Sequence, residues 1–402
     1  MTADLLAGYR VLDLTRVMSG PYCTAMLADI GADVIKVEQP GSGDLSRSFG
    51  PHVDGESAYF VMLNRGKRSV TVDLKHPEGR GLVLELAAKS DVVVENFRPG
   101  VADRLGLGYD DLRMVQPDIV YCSLYGFGGD TADADLPALD LVIQAMSGLM
   151  SVTGHRETGP TAVGESIADV ATGMFASWGV LAALLDRERT GRGRHLEVAM
   201  MDSVFSMLLT PLSRELYTDT PPRLVGNRHP ETYPVDSFAT ADGQIVIVAP
   251  SNVVVAALGT VIGVPDLAED KRFSDNAARN DHEQELYELI AAWTEKTPTS
   301  VALEALQAAG IPSGPVQSLS DVVASSYNRR RGLIGQGTHP TLGPVPLVEQ
   351  PVRFGDRERG SVAVPTLGEH TDEVLREILE LDDTALERLR DACAIGGGDR
   401  DD

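Results

Sequence analysis

Through the first third of the chain, short apolar runs rich in β-branched residues alternate with longer stretches of helical periodicity. Val11-Leu12-Asp13-Leu14 predicts a strand, Pro21 to Ile30 a helix, and Asp33-Val34-Ile35-Lys36-Val37 a second strand. Nearly continuous Val, Ile and Leu in such short runs fits strands buried on both faces, the habit of parallel sheets. The rhythm continues with a strand over Ser69 to Val72, a helix over Pro77 to Lys89, a strand over Asp91 to Glu95, a helix around Val101 to Leu105 and a strand over Ile119 to Leu124. Each crossover is long enough for a right-handed strand-helix-strand unit. The fold class that follows is α/β, with a Rossmann-like parallel-sheet large domain and a smaller α+β domain further along.

Helical patterns over Ile167 to Arg189 and Met200 to Leu212 flank a basic turn and a short strand, His195 to Val198. From Thr218 to Tyr233 the chain carries Pro221, Pro222, Gly226 and Pro230 without periodicity, which predicts a linker. Beyond it, a strand over Gly243 to Ala249 and helices over Val253 to Ile262, His282 to Thr294 and Ser300 to Ala309 predict the smaller lobe. Gly335 to Pro365 reads as short strands between Gly and Pro. Asp372 to Cys393 is an amphipathic helical pattern that packs back on the large domain. The expected division is therefore 1–217 for the first part of the large domain, 218–330 for linker and small domain, and 331–402 for the return segment. Gly396 to Asp402 reads as a disordered end.

Charge and cysteine usage narrow the function classes. Over 402 residues the formal net charge is −24, which excludes non-specific binding to nucleic acid or anionic membranes, since that needs clustered Lys and Arg. Cys23, Cys122 and Cys393 are odd in number and lack metal spacing, as suits a reducing compartment, and the cytoplasm is the expected location. Met1 to Arg10 does not resemble a signal peptide. The uncharged run Val170 to Leu185 is shorter than a bilayer span and predicts a helix buried in protein. The chain has no phosphate-binding P-loop, zinc-protease or nucleophile-elbow motif. The turn Thr15-Arg16-Val17-Met18-Ser19-Gly20-Pro21 is not G-x-G-x-x-G, which leaves a nicotinamide site unsupported.

One carboxylate stands out. Gly164-Glu165-Ser166-Ile167-Ala168-Asp169 leads directly into the uncharged helix, and an ionised side chain beside a buried segment needs a partner, a capping role or chemistry. Ser166-x-x-Asp169 fits a capping box with Ser166 as N-cap. A carboxylate in the first turn also feels the positive helix end, which favours its ionised form. Capping and nucleophilic roles are both open on this pattern.

Eight ordered blocks bear on the choice. They include Val11 to Thr15 with Gly20-Pro21, Gly31 to Glu38 with Gly43-Asp44, Asn64 to Ser69 with Asp73-Leu74-Lys75, Val94 to Gly100, Gln144 to Gly148, Thr190 to Gly193, Ala309 to Pro312 and Leu367 to Thr371. Together they resemble the class III CoA-transferases, the family of formyl-CoA and carnitine CoA-transferases, over nearly the whole chain. The resemblance implies that Asp169 is the catalytic nucleophile, passing through aspartyl anhydride and aspartyl-CoA thioester intermediates as CoA moves from an acyl-CoA donor to a carboxylate acceptor. It implies that Val17, Met18, Leu74, Lys75, Asn96, Phe97, Arg98 and Arg104 line the CoA site. It also implies no metal, no tightly bound cofactor beyond coenzyme A as substrate, and an interlocked homodimer.

The chain departs from that pattern in places. Met18 replaces a glutamine and Gln39 an arginine of formyl-CoA transferases, and no run of consecutive glycines occurs between Gly226 and Gly243. The related α-methylacyl-CoA racemases use a histidine where this chain has Leu139, which disfavours proton-transfer chemistry. A catalytically silent CoA-binding protein is the other alternative, against which the retained Asp169 argues. His155, in a Gly-rich turn, is a candidate substrate contact, whereas His229 and His370 read as structural.

Overall fold

The computed structural model describes residues 5–355 and 362–396. Two compact units are built from interleaved segments: one from 1–147, 164–207 and 328–402, the other from 148–163 and 208–327. The second unit takes the excursion at 148–163 and begins again at Leu208, ahead of the boundary expected at 218. Beyond Gly396 the polar tail lies outside the described residues.

The first unit holds six parallel strands: β1 Arg10–Asp13, β2 Asp33–Glu38, β3 Lys67–Thr71, β4 Val92–Glu95, β5 Val120–Tyr125 and β6 Arg194–Ala199. Their spatial order is β3-β2-β1-β4-β5-β6, a doubly wound sheet whose direction of growth reverses between β1 and β4. Helices fill the crossovers: α1 Ser19–Ala28, α2 Ala58–Leu63, α3 Pro77–Ala87, α4 Val101–Arg104, α5 Tyr109–Val115, α6 Asp140–Met146, α7 Ile167–Thr190 and α8 Met200–Met207.

Alternate strand residues feed two cores. Leu12, Ile35, Val70, Val93 and Tyr121 pack with α3 and α5 on one face, and Val11, Val34, Val92, Val94 and Cys122 pack with α1 and α7 on the other. By length and a mean hydropathy of 1.5, α7 could cross a membrane, but Ala176, Val180, Ala183 and Leu184 lie in the second of these cores.

The second unit has α9 Leu209–Tyr217 and an antiparallel sheet of β7 Val235–Ala239, β8 Gln244–Val248 and β9 Ser313–Pro315. Helices α10 Asn252–Ile262, α11 Glu283–Thr294 and α12 Thr299–Ala308 cover it, with Phe238, Ile245, Ile247, Leu258 and Leu286 at the centre. The return segment contributes β10 Ile334–His339, β11 Gly343–Val348 and β12 Val362–Ala363 to a small sheet. Its helices α13 Thr371–Leu379 and α14 Asp383–Asp391 bury Val374, Leu375, Leu386 and Leu389 in the core shared with β1. The periodicity of 200–212 predicts one helix, whereas the structure breaks it at Leu208 and starts α9 in the other unit.

Candidate active site

Two helix starts meet in the first unit. Helix α1 begins at Ser19, directly after the loop that leaves β1, and its N-cap Met18 makes no side-chain cap bond. Helix α7 begins at Ile167, with Asp169 in its first turn. The capping box expected there is absent: Ser166 occupies the N-cap position but forms no side-chain cap hydrogen bond. The Ala168 N–H instead donates to Asp140 Oδ1 of α6 at 2.7 Å, and the Ser166 N–H donates to Glu165 Oε1 at 2.8 Å. Asp140 is held by Gln144, whose Nε2 donates to its Oδ2 at 2.7 Å. With another carboxylate capping α7, Asp169 is left facing the hydroxyl and backbone N–H of Ser19.

The close crossing of the helices depends on Gly173, one turn beyond Asp169. A Cβ there would stand 2.6 Å from the Ser19 carbonyl oxygen and 3.0 Å from the Tyr22 ring. Glycine therefore brings the start of α1 against the first turn of α7.

Burial, and then the negative charge of Asp140, push the Asp169 carboxyl up to about 6, while Ser19 pulls it back down. This corrects the expectation that the helix end decides: desolvation and a like charge outweigh it. Such a carboxyl is still mostly ionised at neutral pH and is more basic than an ordinary carboxylate, as suits a nucleophile. Tyr59, on α2, is pushed up to about 12 by burial and by the field of Asp169, Glu165, Asp44 and Asp140. It keeps its proton and remains a donor among carboxylates. Ser19, Tyr59 and Asp140 were not singled out as site residues by sequence reasoning. Each matters through long-range proximity, which no local spacing encodes.

The residues assigned to CoA lie in loops after the parallel strands. Val17 and Met18 follow β1, Leu74 and Lys75 follow β3, and Asn96, Phe97 and Arg98 follow β4, with Arg104 closing α4. The structure joins the first and last groups. Asn96 accepts the Arg16 N–H and donates to the Arg16 carbonyl, each at 2.8 Å, and the Arg16 guanidinium lies 5.4 Å from the Phe97 ring centre. These loops flank the reversal point between β1 and β4, where doubly wound sheets take ligands. Phe97 is buried in the core and its N–H donates to Glu95 Oε2 at 2.8 Å; burial pushes the Glu95 carboxyl up to about 7. Met18 is buried, and Leu74 packs against the core.

Lys75, Arg98 and Arg104 are exposed, and among the described residues no ion pair occupies them. No hydrogen bond among the described residues ties Lys75 to the Asn96 group. Arg16, absent from the expected set, has the same exposed character and lies over the Phe97 ring. Among the described residues no group of three or more His, Cys, Asp or Glu is placed to hold a metal ion.

The histidines have separate roles. His229 Nδ1 accepts from Glu231 and Thr232 N–H, and His370 Nδ1 accepts from Ser69 N–H. His155, in the second unit, lies against Gly226, where a Cβ would come 2.5 Å from its Nδ1. Leu139 is the exposed N-cap of α6.

The fold and site thus define an α/β protein with a doubly wound parallel sheet and a half-buried carboxyl, Asp169 in the first turn of α7, facing the start of α1. Residues 6–371 match the model of CoA-transferase family III, and the chain belongs to that family and is a CoA-transferase. It is 38% identical to the succinyl-CoA:glutarate CoA-transferase of Mus musculus, over 96% of this chain and 88% of that one. It is 40% identical to the acetyl-CoA:oxalate CoA-transferase of Acetobacter aceti, over 81% and 84%. A crystal structure of a CaiB/BaiF family protein from Brucella suis superposes with a TM-score of 0.83 at 35% identity, covering 93% of this chain and 99% of that one.

Proposed function

We propose that the enzyme moves CoA from an acyl-CoA thioester to a free carboxylic acid with Asp169 as the covalent nucleophile. The observation that carries this reading is the Asp169 carboxyl itself, raised to about 6, facing Ser19 and freed from capping its own helix. The carboxylate attacks the thioester carbonyl and expels CoA thiolate, leaving a mixed anhydride. Thiolate returns to the aspartyl carbonyl, releasing the donor acid and forming an aspartyl-CoA thioester. The acceptor carboxylate attacks that carbonyl and expels thiolate again. In the last step thiolate attacks the acceptor acyl carbonyl, giving the new acyl-CoA and regenerating Asp169. No external oxidant, metal or bound cofactor enters this sequence. The Ser19 hydroxyl and N–H, which face the carboxyl, are the donors for an oxyanion developing on the aspartyl side.

CoA lies along the loops of Val17, Met18, Leu74, Lys75, Asn96, Phe97, Arg98 and Arg104, where the exposed cations suit its phosphates in an otherwise acidic protein. Succinyl-CoA is the proposed donor and a dicarboxylate such as glutarate the proposed acceptor, supported by the name of the mouse relative. Racemisation is a poorer reading, because Leu139 offers no base at that position. The working form is a homodimer. Its support is the outer face of α7, where Met174, Phe175, Trp178, Leu181 and Leu185 are exposed on one apolar helix. Three free cysteines suit the cytoplasm.

The test is covalent capture. Enzyme incubated with succinyl-CoA and hydroxylamine, then digested and analysed by mass spectrometry, should carry a hydroxamate on Asp169, and Asp169→Ala should lose transfer. Full activity in Asp169→Ala would sink the mechanism.

A further inference from the structure

The loop between β1 and α1 is held in a conformation its sequence does not favour. Val17 sits at φ 69°, in the left-handed region, which a β-branched residue enters only when its surroundings impose it. Those surroundings are explicit. The Val17 N–H donates to Asp44 Oδ1 at 3.0 Å. Asp44 Oδ2 pairs with Lys36 Nζ at 2.8 Å, both side chains fully buried. The same ammonium donates to the Thr15 carbonyl at 2.9 Å. Asp44 is fixed in turn by its own N–H on Glu38 Oε2 at 2.9 Å and by accepting the Ser46 N–H. On the other side of the loop, Asn96 brackets Arg16 through both backbone groups.

Three successive residues, Thr15, Arg16 and Val17, are thus gripped from β2, from the turn at Asp44 and from the loop after β4. Two residues past the strained one stands Ser19, which faces Asp169. Only Met18 separates them, so a return of Val17 to an ordinary backbone region swings the Ser19 amide and hydroxyl away from the carboxyl.

We propose that Asp44 and Lys36, with Asn96 on the opposite side, are positioning residues that hold Val17 in its left-handed conformation so that Ser19 meets Asp169. Asp44 and Lys36 touch neither substrate nor reacting atoms, and Asn96, which also lines the proposed CoA path, acts in this role through the loop. The proposal rests on the reading of Asp169 as the nucleophile.

The readout is the acidic limb of the pH profile of kcat/KM for acyl-CoA. Asp44→Asn keeps an acceptor for Val17 but loses the pair with Lys36. Simple loss of a negative charge near the site moves the limb to lower pH. Loss of the Ser19 hydrogen bonds moves it to higher pH, by roughly half a unit to one unit, and that rise is the expected result. Asn96→Ala, which strands no buried charge, should give a rise in the same direction and decides the matter if Asp44→Asn does not fold. Glycine takes positive φ without strain, so Val17→Gly added to either variant should return the limb toward its wild-type position.

A limb that stays in place or falls in the folded variants overturns the proposal, as does a Val17→Gly addition that restores nothing. Retention of full activity by Asp169→Asn is a separate outcome, which removes the nucleophile reading whatever the other variants do.

Discussion

Asp169 is pulled two ways, and the balance is measurable. Burial and Asp140 raise its carboxyl from the ordinary 3.8 to about 6, against the hydrogen bonds from Ser19. Activity that needs the carboxylate should therefore fall about tenfold per unit as pH drops below about 6, which a kcat/KM profile checks. Asp140→Asn keeps an acceptor for the Ala168 N–H but removes the like charge, so the same limb should move to lower pH. For stability the sign is the reverse of a salt-bridged acid. The folded carboxyl binds its proton more tightly than the unfolded one, so its contribution is full below about 3.8 and is lost as pH rises from there through about 6. Asp169→Asn should accordingly be more stable than wild type above pH 6, by roughly 1–2 kcal/mol after allowance for partial exposure, with the gap in melting temperature closing toward pH 4.

Two helical glycines separate packing from propensity at the scale of elements. Glycine inside a helix ordinarily costs about 1 kcal/mol relative to alanine. In α3, a Cβ on Gly81 would meet nothing within 4 Å, and Gly81→Ala should raise stability by about that amount. In α7, the same change at Gly173 places a Cβ 2.6 Å from the Ser19 carbonyl. Gly173→Ala should cost roughly 1–3 kcal/mol instead, and because it wedges Ser19 from Asp169 it should also lower kcat. Urea unfolding and steady-state kinetics on the pair decide both points; equal stabilisation by the two changes would remove the close crossing as the cause.

For the whole molecule, the apolar outer face of α7 is the surface on which the proposed dimer turns. Trp178 is 70% exposed there, in line with Met174 and Leu181. A single charge in such a patch opposes burial against a second copy. Trp178→Glu should shift the protein from dimer to monomer in light scattering while leaving the far-UV circular dichroism of the fold intact. The interleaving of the two units was not readable as a boundary list. Residues 148–163 join the second unit far from it in sequence, and a contact between distant segments has no local signature.

The alternation of β-rich runs with helical periods was enough to predict the parallel sheet, because strands buried on both faces must be apolar throughout and crossovers must be helical. The same local logic located Asp169 at a helix start, and the ordered blocks pointed to the family. It left capping and nucleophilic roles open, and the capping box it offered does not form. Ser166 and Asp169 have the spacing of a capping box, yet Asp140 supplies the cap, and Asp169 turns to a different helix altogether. Asp44 appeared in a block without a role, and only the fold brings it to Val17. The sequence by itself determined the strands, the helical crossovers and the place of Asp169 at a helix start, since these follow from periodicity and from residue type. The tertiary structure alone decided which groups surround that carboxyl, because desolvation, like charge and hydrogen bonding are fixed by neighbours that the chain brings together only on folding.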